Sequence, residues 1–326
     1  MTISNEKRKY KIIYIIVTVV MCLRCIGIEL PIDSSFDNVL SLILMIVWII
    51  VYCIWGLFVV NRIYEGNNKL LFVILIAFSI LSASIMTGAD YIGTTQAAML
   101  IVTIIDVYIV ATDGYRVFMI ILPVIGLLCD SSYLFEYMGS IFVLLIVNSI
   151  RLDKKKYRMI LIINIIESVG IYIYHIVMGN VISSEIGFPS IHISVLRVVV
   201  TLVLCIPFIV FAIVLYRKII INARQSKVLP MWAYKMWITG GIFVTPLFFL
   251  VNNYGTWFFA IAAYYLLTAI GFILMNNEDV IISFTQVFDS IRSKYKWVII
   301  LLLYEIFFTP IDNVKVGTFV NNFIQW

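Results

Sequence analysis

Charge is scarce in this chain: 13% of its 326 residues are Asp, Glu, Lys or Arg and 63% are apolar, against roughly 25% charged in soluble domains. Long hydrophilic stretches are missing too. The apolar runs follow one another with only short connections, leaving no room for a soluble domain of about 50 residues or more. Low-complexity tracts, Gly/Ser-rich linkers and clear internal repeats are absent. So are a GxxxxGK[ST] phosphate loop, an HExxH helix and a GxSxG nucleophile elbow, which argues against a self-powered ATPase, a zinc protease or a serine hydrolase. Five cysteines offer one motif spacing, Cys22 and Cys25, and that pair lies in an apolar run where metal or redox use is disfavoured. No metal site is legible from spacing.

What is there is hydrocarbon. A transmembrane helix needs about 20 apolar residues, and on that yardstick the sequence predicts an all-α, polytopic integral membrane protein in a single domain spanning residues 1–326. Eleven spans are expected, at Lys11–Ile28, Val39–Val60, Lys69–Met86, Thr95–Ala111, Tyr115–Cys129, Tyr137–Ile150, Met159–Met178, Ile193–Tyr216, Met231–Val251, Gly255–Met275 and Trp297–Pro310. The fourth, fifth, sixth and eleventh are short, and re-entrant segments are the alternative there. The first span follows a basic head (Lys7, Arg8, Lys9, Lys11) without a small-residue cleavage site, so a retained helix is expected over a cleaved signal peptide.

The densest basic run, Arg151 to Arg158, fixes the orientation. Lys and Arg in short loops face the cytoplasm, so alternation places the N-terminus inside and the C-terminus outside. All of the 23 Lys and Arg except Arg24, Arg197 and Lys315 then fall in or beside inner segments. Outer loops carry acids instead: Glu29, Asp33, Asp37, Asp90, Asp130, Glu136, Glu185 and Asp312. The formal charge of +5 is thereby accounted for by topology, and no nucleic-acid partner is expected. A multi-pass membrane location is implied.

In the last inner loop Val280, Phe284, Val287, Phe288 and Ile291 share a helical face. Glu278 and Asp279 suit its N-terminal end, and Arg292, Lys294 and Lys296 its C-terminal end. An interfacial helix near 279–292 is expected on the inner leaflet. The segment from Arg217 to Lys235, with Pro230 before Met231, is expected to be a loop hugging the same surface.

Ionisable groups at membrane depth are the informative ones, since each costs on the order of 2.5 to 3.5 kcal/mol unless paired or wetted. They are Arg24, Asp106, Glu167, His175, Arg197 and Glu305. Glu167 and His175 are eight residues apart, about 12 Å along one helix face; each lines a cleft or pairs with a neighbouring helix. Arg24 and Arg197 contradict the inside bias at a similar outer depth. A guanidinium there needs an acid, a carbonyl or a phosphate, and Asp33, Asp37, Glu185 and His192 lie near in sequence. A shared outward cleft binding a lipid-linked phosphate is one reading, a structural ion pair the other.

Asn253-Tyr254-Gly255-Thr256-Trp257-Phe258-Phe259-Ala260 follows a short outer turn. It resembles the Asp-Tyr-Gly-Arg-Trp segment of many-span proteins associated with bacterial capsule and exopolysaccharide production, of polymerase or C-type glycosyltransferase character. Asp113-Gly114-Tyr115-Arg116, the Cys129 to Tyr137 stretch and Thr309-Pro310-Ile311-Asp312 fit more loosely. Thr256 stands in place of the Arg, and Asp130-Ser131 where such proteins often carry a His. The resemblance implies glycosyl transfer or polymerisation from a polyprenyl-phosphate-linked sugar at the outer leaflet, alongside other glycan-assembly proteins. Asp33 or Asp37 would be the general base, or hold any divalent metal ion the chemistry uses, with Arg24 or Arg197 holding phosphate. A lipid-linked-glycan transporter using Asp106, Glu167 and Glu305 is the alternative, and a non-catalytic scaffold a third.

Overall fold

The computed structural model describes residues 95–130, 132–152, 154–177, 195–226, 228–244 and 254–292. Among these every regular element is helical: α1 (Thr95–Ala111), α2 (Phe118–Cys129), α3 (Tyr133–Glu136), α4 (Met138–Arg151), α5 (Lys154–Val177), α6 (Val195–Ser226), α7 (Met231–Thr239), a 3-10 segment (Gly240–Val244), α8 (Tyr254–Leu274) and α9 (Glu278–Arg292). The first three predicted spans and the eleventh lie outside the described residues.

α1 occupies the predicted fourth span to the residue. α2, α4, α5 and α8 each fall within a few residues of their predicted bounds at one end or both. With 12, 14 and 17 residues, α2, α4 and α1 are short, about 18 to 26 Å at 1.5 Å per residue. One described stretch, Lys154–Tyr174, is by itself long and apolar enough to cross a membrane; Ala263–Leu274 with Glu278–Val287, bent by 119°, passes only as a pair.

The core is mostly apolar, and on two helices the outward face is apolar as well. On α5 the residues turned inward include Asn164 and Ser168 beside Tyr157 and Ile160, while Met159, Ile162, Ile166, Val169 and Ile173 are exposed. α2 likewise exposes Phe118, Ile121, Ile125 and Leu128. Contiguous apolar stripes of that length are rare on a water-facing surface; hydrocarbon is the solvent they suit.

Inside, α1 packs on α2, α4 and α8, and α5 on α2 and α4. Two buried asparagines explain why these contacts hold. Pro123 sits within α2 and has no N–H to give the carbonyl four residues back, that of Met119. Asn164 Nδ2 on α5 donates to that oxygen at 3.1 Å. Asn148 Nδ2 on α4 donates at 2.6 Å to the Val110 carbonyl, one of the last orphan acceptors of α1.

Two turns are built alike. After α1 the Gly114 N–H reaches the Ile109 carbonyl at 2.8 Å, and after α8 the Asn277 N–H reaches the Phe272 carbonyl at 3.0 Å. Each is the 6→1 bond of a Schellman close, with Asp113 and Asn276 at φ 55° where glycine is usual. Asn277 Oδ1 then accepts the Val280 N–H at 3.1 Å, capping α9.

Three expectations change. α6 runs on to Ser226, so the first part of the predicted Arg217 to Lys235 loop is helix. Leu215, Ile219 and Ala223 are buried at four-residue spacing, and Asn222 Nδ2 donates to Ser283 Oγ of α9 at 2.8 Å; hydropathy ended there but the amphipathic helix did not. α9 forms where expected, yet Val280, Phe284 and Val287 are buried against protein, α6 and α8 being its neighbours, so this face is not offered to lipid. Third, the predicted ninth span changes at Gly240 from α to 3-10. Tyr264 and Tyr265 of α8 donate to the Trp237 and Ile238 carbonyls at 2.7 and 2.6 Å. A Cβ on Gly240 would lie 1.9 Å from the Tyr264 hydroxyl oxygen, so glycine is what admits the ring.

Candidate functional site

On α1, Met99, Thr103, Asp106 and Val110 recur at spacings of four, three and four and are all fully buried. This is the helix's inward face. Thr103 Oγ1 donates to the Met99 carbonyl at 2.7 Å, the usual way a hydroxyl is satisfied mid-helix. It also shares a hydrogen bond of 3.2 Å with the Tyr133 hydroxyl.

Tyr133 comes from α3, the single helical turn between α2 and α4. Its ring lies flat on Gly126 of α2, where a Cβ would stand 2.4 Å from the ring. Asp130 Oδ1 accepts the Ser132 N–H at 2.7 Å, tightening the entry to the turn. α2 spans only about 18 Å, well short of a hydrocarbon core of about 30 Å. The sequence places Glu136 in an outer, solvated loop; the structure buries it completely, together with Tyr133 and Tyr137. α3 packs against α2, α4, α8 and the 3-10 segment, so two irregular stretches of backbone meet at this place. Non-helical backbone at depth is tolerated where protein or a wet cavity encloses it.

Asp106 is the anomaly. It is 0% exposed, and neither carboxylate oxygen has a hydrogen-bond partner. No ion pair reaches it among the described residues. The Tyr133 hydroxyl is the group that interacts with it electrostatically. Buried carboxylates are paired as a rule because bare burial costs several kcal/mol.

At the opposite end of the bundle the acids Asp113 and Asp279 are both partnered. Asp113, in the α1–α2 turn, is bound by Lys156 and by the Tyr157 hydroxyl at the start of α5. Partial burial pushes the Asp113 carboxyl upward, but Lys156, Tyr157 and the nearby Arg116 outweigh that and hold it below the usual carboxylate range. Across the same end, Tyr234 donates to Asp279 Oδ2 at 2.6 Å and accepts from Asn277 Nδ2 at 3.1 Å. Arg151 lies within electrostatic reach of that tyrosine. The turns expected to be cytoplasmic, near residues 113, 152, 230 and 276, thus gather at one end.

Of the residues singled out in the sequence, Asp106 falls in this polar core. Glu167 lies on α5, its Oε2 buried without a hydrogen bond, on the far side of α2, which packs on both α1 and α5. His175 is in the last turn of α5 and Arg197 in the first turn of α6. Arg24, Asp33, Asp37, Glu185, His192 and Glu305 lie outside the described residues, so the Arg24–Arg197 cleft does too. Among the described residues no three His, Cys, Asp or Glu side chains gather as a metal site would require. Tyr133 and Glu136 were missed by sequence reasoning, although a connection reading Tyr133-Leu134-Phe135-Glu136-Tyr137 is too aromatic for a solvated loop. Comparison of the chain with protein-family models, with curated proteins and with solved structures finds no match.

Proposed function

We propose that this chain is an eleven-span protein of a bacterial plasma membrane that takes part in cell-surface polysaccharide assembly, by glycosyl transfer or polymerisation from a polyprenyl-phosphate-linked sugar at the outer leaflet. The observation that carries the class is the Asn253 to Ala260 segment. Its residues from Tyr254 on belong to the 21-residue apolar helix α8. The outward apolar faces of α2 and α5, and the gathering of the basic turns at one end, support the many-span reading. In this scheme Asp33 or Asp37 serves as general base, Arg24 and Arg197 hold the phosphate, and other glycan-assembly proteins are the partners.

Replacing Asp33 and Asp37 together with Asn in the full chain tests this. The expected result is loss of polymer with unchanged protein in the membrane. Unchanged polymer would contradict the enzymatic reading.

One observation favours a second reading, transport of a lipid-linked glycan: Asp106, a buried unpartnered acid where irregular backbone meets, is the equipment of a coupled carrier. Transport predicts that the double variant leaves polymer intact while loss of the protein strands lipid-linked sugar on the inner leaflet.

A further inference from the structure

We infer that Asp106 is a proton-binding site within the membrane domain, enclosed by Thr103 and Tyr133, that carries a proton in the conformation described here. Among the described residues nothing else neutralises the carboxylate. Both oxygens are sealed from solvent and lack donors, so an ionised carboxylate would stand in a low-dielectric interior with nothing to offset the loss of its hydration.

Each alternative occupant fails on chemistry. A cationic side chain is excluded because no Lys, Arg or His contacts Asp106 among the described residues. The elements packed on α1 carry Cys129 (α2), Tyr133 and Glu136 (α3), Arg151 at the far end of α4, and Tyr264 and Tyr265 (α8); α1 itself carries Tyr108 and ends beside Asp113. Of these, Tyr133 is tied to the same face of α1 by its hydrogen bond with Thr103. A divalent cation needs six or more oxygens in Ca²⁺ sites or a near-octahedral set for Mg²⁺, and one carboxylate with two hydroxyls, one already committed to the Met99 carbonyl, does not supply them. A proton needs one oxygen and no added volume. Its uptake converts Asp–COO⁻ to Asp–COOH with no other bond made or broken; Thr103, one turn away on the same face, and its partner Tyr133 are the neighbouring polar side chains.

This inference stands whether the chain transfers sugar or moves a lipid-linked glycan. Infrared spectroscopy of the full-length protein in lipid vesicles near neutral pH tests it, with aspartate isotope-labelled at its side-chain carboxyl carbon. The expected result is a protonated-carboxyl band that carries the isotope shift, moves down in heavy water, disappears in Asp106→Asn and changes frequency in Tyr133→Phe. A wild-type spectrum with no labelled protonated-aspartate band would overturn the inference, and that reading does not depend on how well a variant folds. A labelled band left unmoved by both substitutions would overturn it equally, because the proton would then belong to another aspartate.

Discussion

Asn164 and Asp106 are both fully buried polar residues on apolar helices, and they differ in one respect. Asn164 repairs a defect, giving its amide to the Met119 carbonyl that Pro123 leaves without a donor. Asp106 repairs nothing: no N–H or O–H reaches its carboxylate. A buried polar group that completes a hydrogen bond is part of the architecture. One that leaves its own need unmet costs stability, and such costs concentrate where function retains them.

Substitutions sharpen the contrast, beginning with the contact between Gly126 and the Tyr133 ring. Gly126→Ala would drive a methyl into the Tyr133 ring and pull its hydroxyl from Thr103. The expected loss is about 3 kcal/mol, the upper end for overpacking a filled core, read as a lowered unfolding midpoint. Asn164→Ala should cost about 2 kcal/mol, the penalty of a buried carbonyl left without a donor. Its proof is a double-mutant cycle: adding Pro123→Ala restores an N–H for the Met119 carbonyl and should recover about 1 kcal/mol. Additive losses would show that the Asn164–Met119 bond is incidental.

The smallest effect is expected at the other end. Asp113→Asn removes a half-exposed carboxylate from Lys156 and should cost under about 0.5 kcal/mol, less at high salt. The folded-state carboxyl titrates below its ordinary range. Its contribution is therefore present at neutral pH, above the unfolded value, and is lost as pH falls through the lowered one. Wild type and Asp113→Asn should converge in stability in acid; a gap that persists there would contradict the Lys156 pairing as its source.

Apolar runs made much of this legible. Thr95–Ala111 is read correctly because hydropathy starts and stops with the helix. It fails along Arg217 to Ser226 because the helix there is amphipathic and packs on α9, which a span-length window takes for the end of the element. The α-to-3-10 change at Gly240 depends on Tyr264 and Tyr265 arriving from another helix, a contact no local pattern announces. Asp106 was visible as a charge at depth, but whether it is partnered is a tertiary fact. Glu136 was assigned to solvent because acids between spans are usually there, and the shortness of α2 and α4 is what draws it in.

The most direct measurement is the unfolding midpoint of Asp106→Leu beside Asn164→Ala in the same membrane mimetic. Leu has the branched outline of Asp, though it is larger, and no unmet polar atoms, so the account predicts that Asp106→Leu raises stability by about 1 kcal/mol, relief of the unmet acid outweighing the overpacking, while removing the protonated-aspartate infrared band. A fall in stability comparable to that of Asn164→Ala would mean that Asp106 is an architectural residue after all, and would contradict its assignment as a functional acid.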